Sequence, residues 1–221
     1  MCNIDAVDSL GVSALAAAKV RGDAAMARLL CEAGATIDEP ELPAPATCAA
    51  VSFCSAGLPG ALATQGQIFY EVVLVRVGPC PQIGWAAPGF TPGGGNGVGD
   101  DTLSWGADGA RGKLWRDGSW PWDGGPQWRD GDVVGCAADL AEGKAWFAHN
   151  GAWSLCFEGC AEAWRQGVFP AISGQRMAFA INASPRFAGP TPAFRNAAAG
   201  LPELLDRDGK PTFVSQTKQL V

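Results

Sequence analysis

Residues 130–151 read DGDVVGCAADLAEGKAWFAHNG, a stretch with two short apolar runs. The segment Ala141-Glu142-Gly143 joins the two runs, and Asn150-Gly151, a dipeptide that favours tight turns, follows the second. Side chains along a strand alternate between its two faces, so Ala145, Phe147 and His149 of KAWFAHN share one face. His149 then lies just before the turn. The stretch therefore predicts a β-hairpin within a core, and it does not predict a nucleophile site around the lone histidine.

Similar short runs continue from about residue 48 to residue 190, separated by Gly, Pro, Asn and Asp. Examples are IFYEVVLVRV at 68–77, QIGWAA at 82–87 and MAFAIN at 177–182. Two long loops carry much of the glycine and proline, at 87–101 and 117–131. This pattern is typical of a mainly β protein, an antiparallel sandwich.

The two ends of the chain have a different character. Residues 1–38 contain two short Ala- and Leu-rich helical runs that are separated at Gly22, and Gly34 is a suitable helix terminator. Residues 39–47, with three prolines, predict an extended linker. Residues 191–221 are Ala-rich and then polar, and we expect a C-terminal extension with one short helix at 199–209.

Composition excludes several classes of partner. The chain is 48% hydrophobic and 17% charged, which is typical of a globular protein. A net charge of −6 without a basic stripe argues against nucleic-acid binding. Apolar runs fall short of the ~20 residues that span a bilayer, so we expect no membrane span.

Most of the eight cysteines lie in apolar runs, as Cys54 does in VSFCSA and Cys136 does in VVGCAA. Reduced cysteines behave there as small hydrophobic residues. Because the N-terminus does not look like a signal peptide, we expect an intracellular, reducing compartment. The cytoplasm is the first choice, and an organelle interior is the alternative if the N-terminus is processed.

Catalytic and cofactor sites find little support. Cys156 and Cys160, with His149 upstream, lack the paired spacing of a structural zinc site. The carboxylates of Glu71, Glu142 and Glu158 do not form a pair on one strand face, as a glycosidase needs. No nucleophile elbow accompanies the histidine, and the glycine-rich loop lacks the Lys-Ser/Thr of a phosphate loop. We therefore expect no enzyme activity, no cofactor and no metal.

Residues from about 48 to 190 resemble a SPRY domain, a curved two-sheet β-sandwich that serves as a protein-interaction module. Six motifs occur in the family's order. They are GQIFYEVVL, QIGWA, GVGDDTLSWGADG, GDVVGCAADL, AWFAHNG and FPAIS. Among members of the family, the sequence looks most like the SPRY domains of ryanodine receptors. The segment INASPRFAGP departs from the usual Asn-Phe-Gly after the last strand, which leaves the pairing of that strand open.

Residues 8–38 resemble one ankyrin repeat. In this resemblance Ser13-Ala14-Leu15 takes the Thr-Pro-Leu position, and Leu29-Leu30 is the core pair. Stacked repeats need about three units for stability. A single partial repeat at 1–38 is therefore expected to need a neighbouring domain or a partner.

Five residues are candidates for partner binding. Trp120 and Trp122 lie in the Pro/Gly-rich loop GSWPWDGG, where exposed aromatic rings would act as anchors, and Phe90 is a weaker case of the same kind. The alternative is that the two tryptophans fold back over the sandwich edge. In the SPRY family, partner peptides engage loops at one end of the sandwich, and the matching loop here holds Gln175 and Arg176.

Other aromatic and acidic residues have simpler interpretations. Glu71, in an apolar strand, is expected to be a buried, paired carboxylate of structural value, and Trp85, Trp105 and Trp146 to be core residues. The sequence thus predicts a non-catalytic protein–protein interaction module. We expect it to be an accessory or structural subunit of a large assembly, with a peptide-binding adaptor as the alternative and a glycan-binding sandwich as a remote one.

Overall fold

The computed structural model describes residues 24–35, 46–48, 53–93, 95–182 and 185–198, together with Ala14, Leu15 and Ala18. A helix, α1 (Ala24–Glu32), precedes the strands. Within the described residues the strands are β1 (Ala46–Cys48), β2 (Cys54–Gly57), β3 (Gln67–Arg76), β4 (Gln82–Ala86), β5 (Ser104–Asp108), β6 (Lys113–Trp115), β7 (Ser119–Pro121), β8 (Val133–Asp139), β9 (Lys144–His149), β10 (Ala152–Phe157), β11 (Phe169–Gly174), β12 (Met177–Asn182) and β13 (Arg195–Asn196).

These strands form two sheets that pack face to face. In the described part of the chain, the larger sheet has the order β1-β12-β3-β8-β9-β10, and β13 pairs with β3 in parallel. The smaller sheet has the order β2-β11-β4-β5-β6-β7. All other pairings are antiparallel. The predicted mainly β sandwich is confirmed.

The core lies between the sheets and is rich in aromatic rings. Trp85 and Trp105 are fully buried, as predicted, and they pack edge-to-face against Tyr70 and Trp164 respectively. Trp146 is not part of this core. It lies half-buried on the outer face of the larger sheet, where its ring contacts Phe194, because alternation along β9 turns Phe147 inward instead.

The opening hairpin of the sequence forms as expected. Strands β8 and β9 pair from Asp139↔Lys144 to Val134↔His149, and β8 also pairs with β3 over its full length. Asn150 has a φ of 49°, the left-handed conformation that a tight turn requires. Strand β12, whose pairing the sequence left open, pairs with β3 as far as Asn182↔Glu71.

The chain after β12 crosses the outer face of the larger sheet, and we call residues 185–198 the strap. Phe187 packs against Val73 and Val133, and Phe194 packs against Phe69 and Ala137. A carboxylate from β3 holds the start of the strap. The two oxygens of Glu71, which is 1% exposed, accept hydrogen bonds from the backbone N–H groups of Arg186 and Phe187 at 2.7 and 2.8 Å. The prediction of a buried, paired Glu71 is confirmed.

Several local predictions need correction. The run ALATQ at 61–65 also predicts a short strand, but Pro59–Ala61 form a 3₁₀ helix and Ala63 makes only an isolated bridge to Val168. Strand β7 lies within the loop that we predicted at 117–131, and strand β10 was not predicted. Cys54 was expected to be reduced, but it is disulfide-bonded. The other described thiols outside β1 are free, at Cys31, Cys80, Cys136, Cys156 and Cys160.

The N-terminal prediction is only partly covered. Helix α1 coincides with the second predicted helical run, and Gly34, with a φ of 93°, follows it. Leu29, one of the expected core pair, is 56% exposed, so it does not belong to a core. Most of the predicted ankyrin repeat at 1–38, most of the 39–47 linker and the C-terminal helix at 199–209 lie outside the described residues.

Candidate functional site

One end of the sandwich is built around the tight connection between β11 and β12. Gln175 and Arg176 form this connection, and Arg176 is exposed with a φ of 52°. The Nε of Arg76, at the end of β3, donates a hydrogen bond to the carbonyl oxygen of Arg176 at 2.9 Å. A side chain on Gly78 would overlap the carbonyl oxygen of Gln175. Glycine at position 78 therefore lets the β3–β4 loop lie directly against the hairpin.

A third segment completes this surface, which we call the hairpin end and define as residues 76–78, 130 and 175–176. The backbone N–H of Val77 donates to Oδ1 of Asp130 at 2.7 Å. The hairpin end is thus three short segments joined by backbone contacts and hydrogen bonds. These contacts restrict the movement of the three segments relative to one another.

The hairpin end carries two guanidinium groups. Arg76 and Arg176 are both exposed, and within the described residues neither one forms an ion pair with a carboxylate. By contrast, the nearby Arg111 pairs with the buried Asp108 and lies over the Trp115 ring at 4.4 Å. Arg76 and Arg176 are therefore two exposed cations without an ion-pair partner among the described residues.

The Cys80 thiol lies next to the hairpin end. Burial is the main cause that raises the pKa of the Cys80 thiol, which lies beside the backbone of Gln175. A thiol with a raised pKa stays protonated at neutral pH and is a poor nucleophile. Within the described residues no group of His, Cys, Asp and Glu is arranged to hold a metal ion.

The histidine of the β8–β9 hairpin has hydrogen-bond partners that also fix its surroundings. Nε2 of His149 lies 2.8 Å from Oδ2 of Asp132, and Nδ2 of Asn150 donates to Oδ1 of Asp132 at 3.0 Å. Asp132 also accepts from the backbone N–H of Arg129, and Asn150 accepts from that of Val133. These polar atoms tie two turns together, so the cluster has a structural role.

Phe90 lies at the opposite end of the smaller sheet from the hairpin end. Strands β4 and β11 pair from Gln82↔Ser173 to Ala86↔Phe169. The hairpin follows the Ser173 side of this pair, and the loop with Phe90 follows Ala86. Phe90 lines an open groove of about 350 Å³ that also contains Phe169 and parts of β2. Hence Phe90 does not share a site with Gln175 and Arg176.

The two loop tryptophans behave differently from each other. Trp120 lies on the edge strand β7, is 39% exposed and packs edge-to-face on Phe157 at 5.6 Å. Trp122 is only 8% exposed and packs against Trp128 and Phe147. The expectation that Trp122 is exposed is therefore wrong, because its ring folds back into the core. Trp120 keeps an exposed edge but belongs to neither the hairpin end nor the groove.

The sequence model of the SPRY domain matches residues 67–185, which is more than half of the chain. The chain belongs to the SPRY domain family. This SPRY domain is also similar to the E3 ubiquitin-protein ligase RKP of Arabidopsis thaliana, with 36% identity over 128 residues. The match covers 55% of this chain and 10% of the ligase, so the chain spans about a tenth of the length of that curated relative.

Sequence reasoning found the hairpin end through Gln175 and Arg176, but it missed Arg76, which looks like an ordinary strand-end charge. It also missed the groove. The walls of the groove come from residues 55–62, 88–92 and 169, and only the pairing of β2, β11 and β4 brings them together. Phe90 was the one signal in the sequence that pointed towards this surface.

No helix of the described residues is long and apolar enough to span a bilayer.

Proposed function

We propose that this SPRY domain is a non-catalytic recruitment module whose hairpin end binds an acidic segment of a partner protein. SPRY domains are in general protein-interaction modules, and the similar Arabidopsis protein is a ubiquitin ligase. A ligase needs a part that selects its substrates, so a peptide-binding adaptor is the role that we favour. The observation that carries the proposal is the pair of exposed guanidinium groups of Arg76 and Arg176, which lie on adjoining segments and form no ion pair with a described carboxylate.

Charge explains why this pair matters. The chain has a net charge of −6, so acidic partners are repelled from most of its surface. Two neighbouring guanidinium groups give a local exception, and each can bind a carboxylate in a bidentate manner. Such complementarity sets specificity and the association rate more than it sets affinity. We therefore expect binding that weakens as the salt concentration rises.

A charge-reversal pair tests the proposal. The full chain is immobilised as wild type and as the double variant Arg76→Glu/Arg176→Glu, and proteins from an extract of the source organism are quantified by mass spectrometry. The control is the double variant Arg28→Glu/Arg165→Glu, which changes the net charge equally at two exposed arginines elsewhere. We expect a set of partners to fall about tenfold with the first variant only. Equal retention by all three proteins would contradict the proposal.

The second candidate is a fixed subunit of a large assembly, with the sequence of 199–221 as an anchoring arm. A polar C-terminal arm and a single ankyrin-like repeat at 1–38 favour it, because such segments usually need something to hold them. Size-exclusion chromatography of the source extract separates the two candidates. Elution near the mass of the free chain favours the adaptor, and co-elution with a large complex at high salt favours the subunit.

Two further parts of the proposal concern the N-terminal residues and the location of the protein. We propose that residues 1–38 pack as an ankyrin-like repeat and that the SPRY domain has a ryanodine-receptor-like character, on the motifs given above. We also propose an intracellular location, with the cytoplasm as first choice. Five free thiols support a reducing compartment, and the Cys54 disulfide speaks against it. Thiol labelling before and after lysis of the source cells shows whether Cys54 is oxidised in the cell, and so distinguishes a reducing from an oxidising compartment.

A further inference from the structure

The outer face of the smaller sheet contains an open groove beside the edge strand β2. Its volume is about 350 Å³, which is within the range of sites that hold a small ligand or a few side chains. The lining comes from β2, the 3₁₀ helix, the loop after β4 and the start of β11. Its residues are Ser55, Ala56, Gly57, Pro59, Leu62, Pro88, Gly89, Phe90, Pro92 and Phe169.

The chemistry of the lining selects for an uncharged occupant. None of these ten residues is charged, although the chain as a whole carries a net charge of −6. The hydroxyl of Ser55, the one polar side chain, already forms a hydrogen bond with the hydroxyl of Ser173 at 2.7 Å. Phe90 and Phe169 each pack against the small apolar cluster on the outer face of the sheet, and Leu62 is 44% exposed at the rim. A charged group placed here would lose its hydration without gaining a partner.

The backbone of β2 offers hydrogen bonds along the same groove. Strand β2 pairs with β11 on one side and is the edge of the described sheet on the other. Leu58 donates its N–H to the carbonyl of Pro170 at 2.9 Å, so positions 58, 56 and 54 point their backbone groups at β11. In an antiparallel pair the intervening residues point the other way. The N–H and C=O groups of Ser55 and Gly57 therefore face outward.

The edge at β2 also lacks the features that usually prevent strand addition. Its sequence Cys-Ser-Ala-Gly contains no charge, no proline and no bulge. The edge strands at the other side of the sandwich differ. Strand β7 ends in Pro121, and the pairing of β10 with β9 shifts register between Leu155 and Phe157. Among the described residues no strand pairs with the outward-facing groups of Ser55 and Gly57, and such a regular edge next to an apolar groove is the arrangement used for β-augmentation.

We propose that this groove binds a short, extended, uncharged segment of a partner protein, which adds to β2 as a new edge strand. Backbone hydrogen bonds to Ser55 and Gly57 hold the segment, and its side chains at these two registers lie over Phe90 and Phe169. The four residues of β2 span about 13 Å, which limits the paired segment to about four or five residues. The proposal goes beyond the recruitment at the hairpin end and uses none of its residues.

The test begins with a library of random peptides displayed on phage, selected on the full chain. Enriched peptides are synthesised with a fluorophore, and their affinities are measured by fluorescence anisotropy. We expect sequences with apolar residues at alternate positions and no charge between them. Peptides that bind the groove should survive counter-selection on the Leu62→Glu variant, because that variant no longer holds them. If every enriched peptide also binds Leu62→Glu, so that none survives, the proposal is overturned.

Two matched variants place the binding site. Leu62→Glu adds a charge at the rim of the groove, and Leu155→Glu adds the same charge at a leucine that is equally exposed, at 46%, on the larger sheet. We expect Leu62→Glu to weaken binding about tenfold and Leu155→Glu to leave it nearly unchanged. If Leu62→Glu does not fold, Pro59→Glu at the same rim replaces it. Equal losses for the two leucine variants would overturn the proposal.

Backbone methylation tests the strand itself. Each N–H of the selected peptide is replaced in turn by N-methyl, which removes one donor. Strand addition predicts that every second position loses binding and that the positions between them do not. Uniform tolerance would overturn strand addition. The variant Arg76→Glu/Arg176→Glu should bind the peptide as wild type does; if it alone loses the peptide, the groove proposal fails and the recruitment proposal stands.

Discussion

Glu71 is the residue whose environment differs most from its chemical preference. It lies in the middle of the apolar strand β3 and is almost completely buried. Burial raises its pKa, whereas the hydrogen bonds from the N–H groups of Arg186 and Phe187 act in the opposite direction. An apolar residue here would leave these two buried donors without acceptors. Burial thus removes the hydration of the Glu71 carboxylate, and the two hydrogen bonds that replace it attach the strap to β3.

The substitution Glu71→Gln tests this role. An amide has one acceptor oxygen, so its NH₂ group must face one of the two backbone donors. We expect a loss of about 1–3 kcal/mol in the free energy of unfolding at neutral pH, measured by chemical denaturation. Glu158→Gln, at an exposed position, is the control and should change little. An unchanged free energy for Glu71→Gln would contradict the role.

The same variant has a defined pH dependence. The pKa of the Glu71 carboxyl is raised above its ordinary value of 4.5 in the folded state. Its proton-linked stabilisation, which adds to the hydrogen bonds present at neutral pH, is therefore complete well below pH 4.5 and is lost as the pH rises through the folded-state pKa. Glutamine does not titrate. The destabilisation by Glu71→Gln should therefore be larger at pH 4.5 than at pH 7, and the opposite order would refute the direction of the pKa shift.

At the scale of elements, the packing of β8 with β9 and β10 requires that position 135 has no side chain. A Cβ on Gly135 of β8 would lie 2.7 Å from the ring of Trp153, which extends from β10. Nε1 of Trp153 donates a hydrogen bond to the carbonyl of Ala188 in the strap at 3.0 Å. A glycine inside a strand often marks the close approach of another backbone. Gly135 lies beside both strand β9 and the ring of Trp153. The contact with this ring could not be derived from the local sequence, because Trp153 belongs to a strand that does not pair with β8.

Gly135→Ala should displace this ring. We expect a loss of about 1–3 kcal/mol in the free energy of unfolding, because the methyl group overpacks a filled site, together with a red shift in tryptophan fluorescence. Gly60→Ala is the control, since a Cβ there meets no atom within 4 Å. Equal stabilities of the two variants would show that Trp153 adjusts without cost.

The hairpin of β8 and β9 was predictable because all its signals are local: two runs, a short turn and Asn150-Gly151. Strands β7 and β10 were missed for a physical reason. As edge strands, they have one unpaired side and exposed residues on both faces, so their sequences lack regular alternation. The groove and the partners of Glu71 arise from long-range pairing, which no local pattern encodes.

For the whole molecule, the strap determines how much apolar surface reaches solvent. It covers Phe69, Val73, Val133 and Ala137 on the outer face of the larger sheet, which would otherwise expose an apolar band. The packed structure therefore extends through residue 198, well beyond the end of β12 at Asn182.

Phe194→Ala tests the cover provided by the strap. The ring of Phe194 is 8% exposed and lies 5.5 Å from that of Trp146. We expect a loss of about 3 kcal/mol in thermal or chemical unfolding, and increased binding of a hydrophobic dye. Leu155→Ala, at an exposed apolar residue of β10, is the control and should have little effect. Unchanged dye binding would mean that the strap is not needed to cover the sheet.

The pairing of β4 with β11 separates the hairpin end from the groove by roughly the length of one strand, about 15–20 Å. A single partner that carries both an acidic motif and an apolar strand motif must bridge this gap. At 3.3–3.6 Å per extended residue, a linker shorter than about five residues cannot do so. With a sufficient linker, occupation of one site raises the local concentration of the other motif, so two weak contacts give tight, bivalent binding. The length of strand β11 thus sets the minimum spacing between the two motifs of such a partner.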